Sequence, residues 1–291
     1  MSAGEVEVAA GALRWWRAPA KLNLCLHVVG RRADGYHELQ TVFQLIDLCD
    51  SLSFEVDPSG AVFRVDDAAA APGALAGVPS DDDLVVRAAR ALQSAAGTRL
   101  GVRIRVRKRI PMGGGLGGGS SDAATTLRAL DRLWGTGLGA DALAVLGLRL
   151  GADVPVFVYG RSAVGEGVGE RLTPVALPPR WFLVIHPGVA VPTRDIFQAP
   201  ELRRDSPRLT LPELLAGPGH NDCEPVVRAR VPEVALALDW LGREASARLT
   251  GTGSCIFAAF DSAAAAERVA GRVPDRWRAW VVRGLDAGPD L

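Results

Sequence analysis

Between Pro111 and Asp122 the chain reads P-M-G-G-G-L-G-G-G-S-S-D, with glycine at 113, 114, 115, 117, 118 and 119. Each glycine costs the folded state conformational entropy, so six of them fit a place where backbone N–H groups must approach a ligand closely or take positive φ. Phosphate suits such a loop. The elements needed to aim it are on either side. Val102, Ile104 and Val106 alternate with Arg103, Arg105 and Arg107, the period of a half-buried strand. Ala123, Leu127, Leu130 and Trp134 recur at helical spacing, with Ser120, Ser121 and Asp122 as N-cap candidates. Strand, glycine loop and helix in that order would point free N–H groups and the positive end of a helix dipole at an anion, with the two serine hydroxyls as further donors.

Several familiar phosphate loops do not fit. A Walker loop needs lysine after its last glycine, and Gly119 is followed by Ser120. Gly113, Gly115 and Gly118 satisfy G-x-G-x-x-G, but a dinucleotide fold also needs a second strand ending in an acid about twenty residues on. Asp141, near that distance, instead opens a helical pattern, A-D-A-L-A-V-L-G-L-R-L. The protein-kinase reading lacks both H-R-D and D-F-G. A flexible linker would not sit between two strongly patterned elements.

Composition narrows the function classes. Lys plus Arg equals Asp plus Glu at 33 each in 291 residues, so there is no general basic field for nucleic acid and no acidic tail. Cys25, Cys49, Cys223 and Cys255 are scattered and form no C-x-x-C, which argues against a zinc site or a disulfide framework and suits a reducing cytoplasm. The acidic start M-S-A-G-E-V-E-V is unlike a signal peptide, and no apolar run reaches the roughly eighteen residues of a membrane span.

Around the loop, residues 14–65 read as strands and turns. Leu22, Leu24, Leu26 and Val28 alternate with Lys21, Asn23, Cys25 and His27, which predicts an apolar face inward and a mostly polar face outward. The A-D-G turn at Ala33–Gly35 leads into a second strand near Gln40–Ile46. Ala68–Pro79 is low in complexity and reads as a surface loop. Ser80–Asp83 caps a helix running to about Ala96 and closed by Gly97. After the Asp141 helix come the turn G-A-D at Gly151–Asp153 and an apolar strand, V-P-V-F-V-Y. Prolines in T-P-V-A-L-P-P-R mark a boundary near 173–180. Beyond it, W-F-L-V-I-H, C-I-F-A-A-F and W-V-V read as strands, and Pro225–Leu241 and Ser262–Val273 as helices. Such a mixture favours an α+β or split βαβ arrangement over a doubly wound parallel sheet.

Three separated segments, P-A-K-L-N-L-C-L at Pro19–Leu26, the glycine loop at Pro111–Asp122 and L-T-G-T-G-S-C-I-F at Leu249–Phe257, resemble the three signature motifs of the GHMP small-molecule kinases. The resemblance implies a two-domain α+β fold: a ribosomal-protein-S5-like N-terminal domain at 1–175, a ferredoxin-like C-terminal domain at 176–291, and an active site in the cleft between them. R-R-A-D-G-Y-H at Arg31–His37, G-A-D-V-P at Gly151–Pro155 and N-D-C-E at Asn221–Glu224 are similar to those members that phosphorylate a cytidyl-bearing sugar alcohol of the non-mevalonate isoprenoid pathway.

Residue by residue, the resemblance implies Asp153 as the base that takes the proton of the acceptor hydroxyl, with Lys21 paired to it and stabilising the reacting oxygens. By itself a carboxylate at such a turn serves equally as a cap, and a lysine on a strand face is usually only solvated. Asn23, two residues from Lys21, would lie beside the substrate hydroxyl. Tyr36 and Phe197 would sandwich a cytosine whose edge His37 reads, and Thr193 would contact the substrate phosphates. For ATP the resemblance implies Asp83 and Leu84, Lys108, and the loop Pro111, Met112, Gly113, Gly114, Gly115, Leu116, Gly117, Gly118, Gly119, Ser120 and Ser121. Asp83 stands where asparagine is common and cannot donate as an amide does, so backbone contacts would have to replace it. Asp122 also stands in an asparagine position. Mg²⁺ would ride mainly on the ATP phosphates, with no dedicated protein metal site. The implied partners are ATP and the small cytidyl substrate, in a cytoplasmic monomer or weak homodimer without nucleic acid or membrane. Another alcohol such as mevalonate or homoserine, or an inactive nucleotide-binding regulator on the same fold, remains open.

Overall fold

The computed structural model describes residues 13–65, 79, 81–217 and 219–289. The chain begins with two long strands, β1 (Trp15–Arg31) and β2 (His37–Asp57), paired antiparallel through the A-D-G turn. There Gly35 has φ +88° and Arg32 N–H donates to Tyr36 O at 2.8 Å, a turn in which a side chain at position 35 would be strained. Register shifts after Pro19 and after Asn23 bend β1 where Lys21 and Asn23 project. Then follow β3 (Val62–Arg64), α1 (Leu84–Ala96), β4 (Gly101–Arg107), α2 (Gly118–Leu133), α3 (Gly139–Leu148) and α4 (Val154–Tyr159). A hairpin, β5 (Ala163–Gly167) with β6 (Arg171–Pro174), pairs with β2.

The second half comprises β7 (Trp181–His186), α5 (Thr193–Phe197), α6 (Leu211–Ala216), α7 (Glu224–Arg230), α8 (Pro232–Gly242), β8 (Arg248–Leu249), β9 (Ile256–Phe260), α9 (Ala263–Ala270) and β10 (Arg278–Leu285). Strand order is β3-β4-β2-β10-β7-β9-β8, and among the described residues only β3–β4 is a parallel pairing of named strands. The architecture is thus α+β and not doubly wound.

Two large cores flank a smaller one. Leu92, Ile104, Leu127 and Leu130 belong to the first, where α1 and α2 cover the β2–β4 sheet, and Ile185, Leu238, Leu241 and Ile256 to the second. Between them Ala20, Leu22, Ile110 and Leu116 pack with Phe182, Val184 and Phe257. This junction locks β1, Ile110 at the entrance of the glycine loop and Leu116 in its middle against the sheet of the second half. Among the described residues no helix is long and apolar enough to cross a membrane.

Four sequence expectations change. V-P-V-F-V-Y is helix α4, not a strand: Pro155 sits in its first turn, where the missing N–H costs nothing, and its residues from Val154 to Val158 are buried, so no period is visible. The polar face of β1 does not meet solvent, because Lys21, Asn23, Cys25 and His27 are all buried. The helix expected over Pro225–Leu241 is two, broken before Pro232. Helix α2 starts at Gly118 with Gly117 as its N-cap, so Ser120, Ser121 and Asp122 lie inside its first turns and do not cap it. The helix expected after Asp83 is as predicted, with the Asp83 side chain accepting from Val85 N–H and Gly97 closing it in the left-handed conformation. Nearly all of Ala68–Pro79, and Ser80, lie outside the described residues.

Candidate active site

A cleft of about 600 Å³ runs between β1, the glycine loop, the start of α1, the Asp153 turn and the Thr250 segment. The loop forms its floor. Ser121 N–H makes the first helical bond to Gly117 O at 2.8 Å, so the N–H groups of Gly118, Gly119 and Ser120 belong to the helix end that has no internal acceptor. Two of the preceding carbonyls are held by the Thr250 segment, Ser254 N–H donating to Gly113 O at 3.2 Å and Cys255 N–H to Gly114 O at 3.0 Å, while Gly115 O accepts from Lys21 Nζ at 2.9 Å on the cleft side. In trans peptides the N–H points opposite the C=O, so the N–H groups of Gly114 and Gly115 are turned away from the Ser254 and Cys255 contacts. Gly115 tolerates no side chain, since a Cβ there would stand 2.3 Å from Thr250 O.

Lys21 is buried, and each of its three ammonium protons has an acceptor: Asn23 Oδ1, Gly115 O, and Asp153 Oδ2 at 3.2 Å. The ammonium is therefore a fixed charge at the edge of the loop. Asp153 precedes α4 without capping it, and it is 32% exposed in the cleft. Its carboxylate is thus not spent on local structure. Asn23 is held from both sides, its N–H donating to Thr250 Oγ1 at 2.9 Å and its Nδ2 to Thr41 Oγ1 at 2.8 Å.

The nucleotide side departs from expectation in detail. Asp83 and Leu84 line the cleft, but the Asp83 carboxylate is committed to Val85 N–H and to an ion pair with Arg64. Lys108 also lines the cleft, yet its ammonium is clamped by Asp50 and Asp122. Asp50 in turn accepts Arg109 N–H and Ile110 N–H, shaping the approach to the loop. Ser120 faces the cleft whereas Ser121 is fully buried behind it, with no partner for its hydroxyl, because successive helical residues point about 100° apart.

Two carboxylates share one ammonium here. Burial pushes the Asp122 carboxyl up to about 7 against the pull of Lys108, and the Lys108 ammonium is held above its usual range by Asp122 and Asp50 in spite of burial. The folded protein then keeps a proton at Asp122 that the unfolded chain releases near pH ~4. Stability should fall as pH rises from about 4 to about 7 and be level above that. Asp122→Asn should flatten this part of the profile in urea titrations at successive pH values. An unchanged slope in the variant would contradict it.

On the substrate side the cleft includes Asn23, Thr193 and Phe197. Thr193 Oγ1 lies 3.0 Å from Thr252 Oγ1. Tyr36 does not border the cleft, and at 64% exposed its ring stands in solvent at the hairpin tip. His37 lies behind Phe197, the rings stacked with centroids 5.1 Å apart and 27° between planes. The sandwich expected of Tyr36 and Phe197 is therefore not formed. Sequence reasoning passed over Thr41, Phe43, Asp50, Gly251 and Thr252. Only the last two had a signal, the glycines of L-T-G-T-G-S.

Two family models match the chain. That of the GHMP kinases N terminal domain matches residues 83–161, and that of the GHMP kinases C terminal matches residues 201–279. The 4-diphosphocytidyl-2-C-methyl-D-erythritol kinase of Alkalilimnicola ehrlichii is 57% identical over 94% of this chain and 91% of its own length. The chain belongs to the GHMP kinases. Within them, the protein of the same description from Halorhodospira halophila is 55% identical over 94% of both chains. A solved 4-(cytidine 5'-diphospho)-2C-methyl-D-erythritol kinase superposes with TM-score 0.78 at 36% identity, covering 95% of this chain and all of the other. The mevalonate kinase of Methanococcus jannaschii, at TM-score 0.68 and 15% identity, shares the fold.

Proposed function

We propose that this GHMP kinase transfers the γ-phosphoryl group of ATP to the 2-hydroxyl of 4-diphosphocytidyl-2-C-methyl-D-erythritol, in non-mevalonate isoprenoid precursor synthesis. The observation that carries the mechanism is the Lys21–Asp153 pair at 3.2 Å in a cleft that the glycine loop lines. In this reading the substrate oxygen attacks the γ-phosphorus, its proton passes to Asp153, and the bond to the ADP oxygen breaks. Lys21, already neutralised in part by Asp153, stabilises the negative charge spread over the transferring group. Positioning and electrostatics supply most of the rate in such transfers. Asn23 orients the hydroxyl, and the N–H groups of Gly118, Gly119 and Ser120 hold phosphate.

Among the described residues no cluster of three or more His, Cys, Asp or Glu side chains could hold a metal. Mg²⁺ would be carried mainly by the ATP phosphates, where it neutralises charge, with Ser120 and Asp153 as the nearby oxygen donors in the cleft. Adenine would be read from the backbone at Asp83 and Leu84, since the Asp83 carboxylate is engaged elsewhere.

For the cytidyl group, Phe197 supplies an apolar wall in the cleft. Stacking is worth roughly 1 to 3 kcal/mol per base. Phe197→Ala should therefore raise KM for the cytidyl substrate about 10-fold or more and leave KM for ATP unchanged. A rise in the ATP KM alone would move this ring to the nucleotide side and remove the cytidyl assignment. Mevalonate or homoserine would gain nothing from it.

A further inference from the structure

Asn221 opens the N-D-C-E segment and pairs with Leu26 of β1 in an isolated parallel bridge. Its side chain is buried, and both amide hydrogens and the oxygen have partners. Nδ2 donates to Leu249 O at 3.0 Å and to Gly251 O at 2.7 Å, while Oδ1 accepts from Cys223 N–H at 2.9 Å. One amide thus grips the carbonyls on both sides of Thr250.

The backbone of Thr250 is held as well, its N–H donating to Cys255 O at 3.1 Å and its C=O accepting from Gly253 N–H at 2.9 Å. Threonine is β-branched and stiff at χ1, so a fixed backbone delivers the hydroxyl to one place. There it accepts from Asn23 N–H at 2.9 Å and donates towards Gly115 O at 3.5 Å. Asn23 and Gly115 supply two of the three acceptors of the Lys21 ammonium.

We propose that Asn221 is a positioning residue for phosphoryl transfer: through Thr250 it sets where Asn23 and Gly115 hold the Lys21 ammonium. The proposal rests on the reading in which Lys21 and Asp153 carry the transfer. Asn221 does not border the cleft, and neither the amides of Gly118, Gly119 and Ser120 nor Phe197 is among its partners. Its loss should therefore fall on kcat and spare both KM values. Aspartate at this position adds a readout that a merely structural role lacks. Its carboxylate would face two carbonyl oxygens with no hydrogen to give, and on protonation it regains a donor for one of them. Burial favours that neutral form. The charged and titratable groups around the position, Glu201, Arg203, His220, Asp222, Glu224 and Arg248, are common to variant and wild type. The ratio of the two kcat values then isolates the added proton.

The test is steady-state kinetics on the full-length protein with ATP, Mg²⁺ and the cytidyl compound, with a thermal melt at each pH to count only folded protein. Asn221→Ala should lower kcat about 10²-fold, the usual cost of roughly 1 Å of misplacement, with KM for either substrate little changed. Thr250→Val keeps the shape and removes the hydroxyl, so it should lose a comparable factor. The double variant should lose no more than the larger single loss, because both changes cut one chain of contacts. For Asn221→Asp, the kcat ratio to wild type should rise about 10-fold as pH falls from about 9 to about 6, the equivalent of one recovered hydrogen bond. A folded Asn221→Ala with kcat within about 3-fold of wild type overturns the proposal. So do single losses that multiply in the double variant, or an Asn221→Asp ratio that stays level. Should the alanine variant fail to fold, Thr250→Val and the aspartate ratio decide, and full kcat in Thr250→Val overturns the proposal. No acceptor-dependent ADP release by the wild type is the distinct failure of the kinase reading, and it takes the proposal with it.

Discussion

Asp153→Asn should lower kcat by about 10²- to 10⁴-fold, the usual worth of a general base, while KM for either substrate changes far less. Asparagine keeps the shape of the side chain and can still accept from Lys21 Nζ, so the 3.2 Å contact need not collapse. What it cannot do is take the proton of the attacking hydroxyl. The fold should tolerate the change, because the carboxylate caps nothing and is 32% exposed. Lys21→Met should also be severe, since it removes a buried charge that ties Asn23, Gly115 and Asp153 together. The two residues act as one unit. The double variant should lose less than the product of the single losses. A kcat within a few-fold of wild type for Asp153→Asn (on the order of the scatter between preparations) would reduce Asp153 to a structural role and hand proton transfer to another group.

The second large effect is expected at Gly117. Its φ of +72° is one that side chains rarely adopt, and a Cβ there would stand 2.9 Å from the Phe157 ring and 3.2 Å from Lys21 Cε. Gly117→Val therefore strains the N-cap of α2 and pushes against the lysine of the catalytic pair together. A displacement of about 1 Å in such a site costs roughly 10²-fold, so kcat/KM for ATP should fall at least that far. Calorimetric ATP affinity should weaken in parallel, with a cooperative thermal melt retained. A folded variant with wild-type ATP affinity would take the loop out of the nucleotide site.

Much of this arrangement is legible in the sequence because it is encoded locally. A strand of period two, six glycines and a helix of period 3.6 give the loop its setting, and three short motifs far apart in the chain share a cleft. The illegible parts depend on what a residue faces after folding. Lys21 and Asn23 alternate with leucines as on any half-exposed strand, but the face they share is covered by Thr250 and Thr41, so a polar face became an interior. V-P-V-F-V-Y is short and wholly apolar, which leaves no period to read, and only the fold decides for a helix. Lys108 reads as a free cation until Asp50, 58 positions away, and Asp122 close on it. Ser120 and Ser121 look equivalent, yet a helix that begins at Gly118 sends one into the cleft and the other into the core. Asn221 stands in a short motif, yet nothing local tells that its amide grips Leu249 O and Gly251 O, 28 and 30 positions on.

If the Lys21–Asp153 cleft phosphorylates a cytidyl sugar alcohol, coupled ADP release will show it. Purified protein with ATP and Mg²⁺ is given 4-diphosphocytidyl-2-C-methyl-D-erythritol, mevalonate or homoserine in turn, with Asp153→Asn run alongside. One ADP should form per cytidyl compound consumed, the product should carry one added phosphomonoester on phosphorus NMR, and the other two alcohols and the variant should give no release above background. Turnover of mevalonate or homoserine in preference to the cytidyl compound, or no acceptor-dependent release at all, would contradict it.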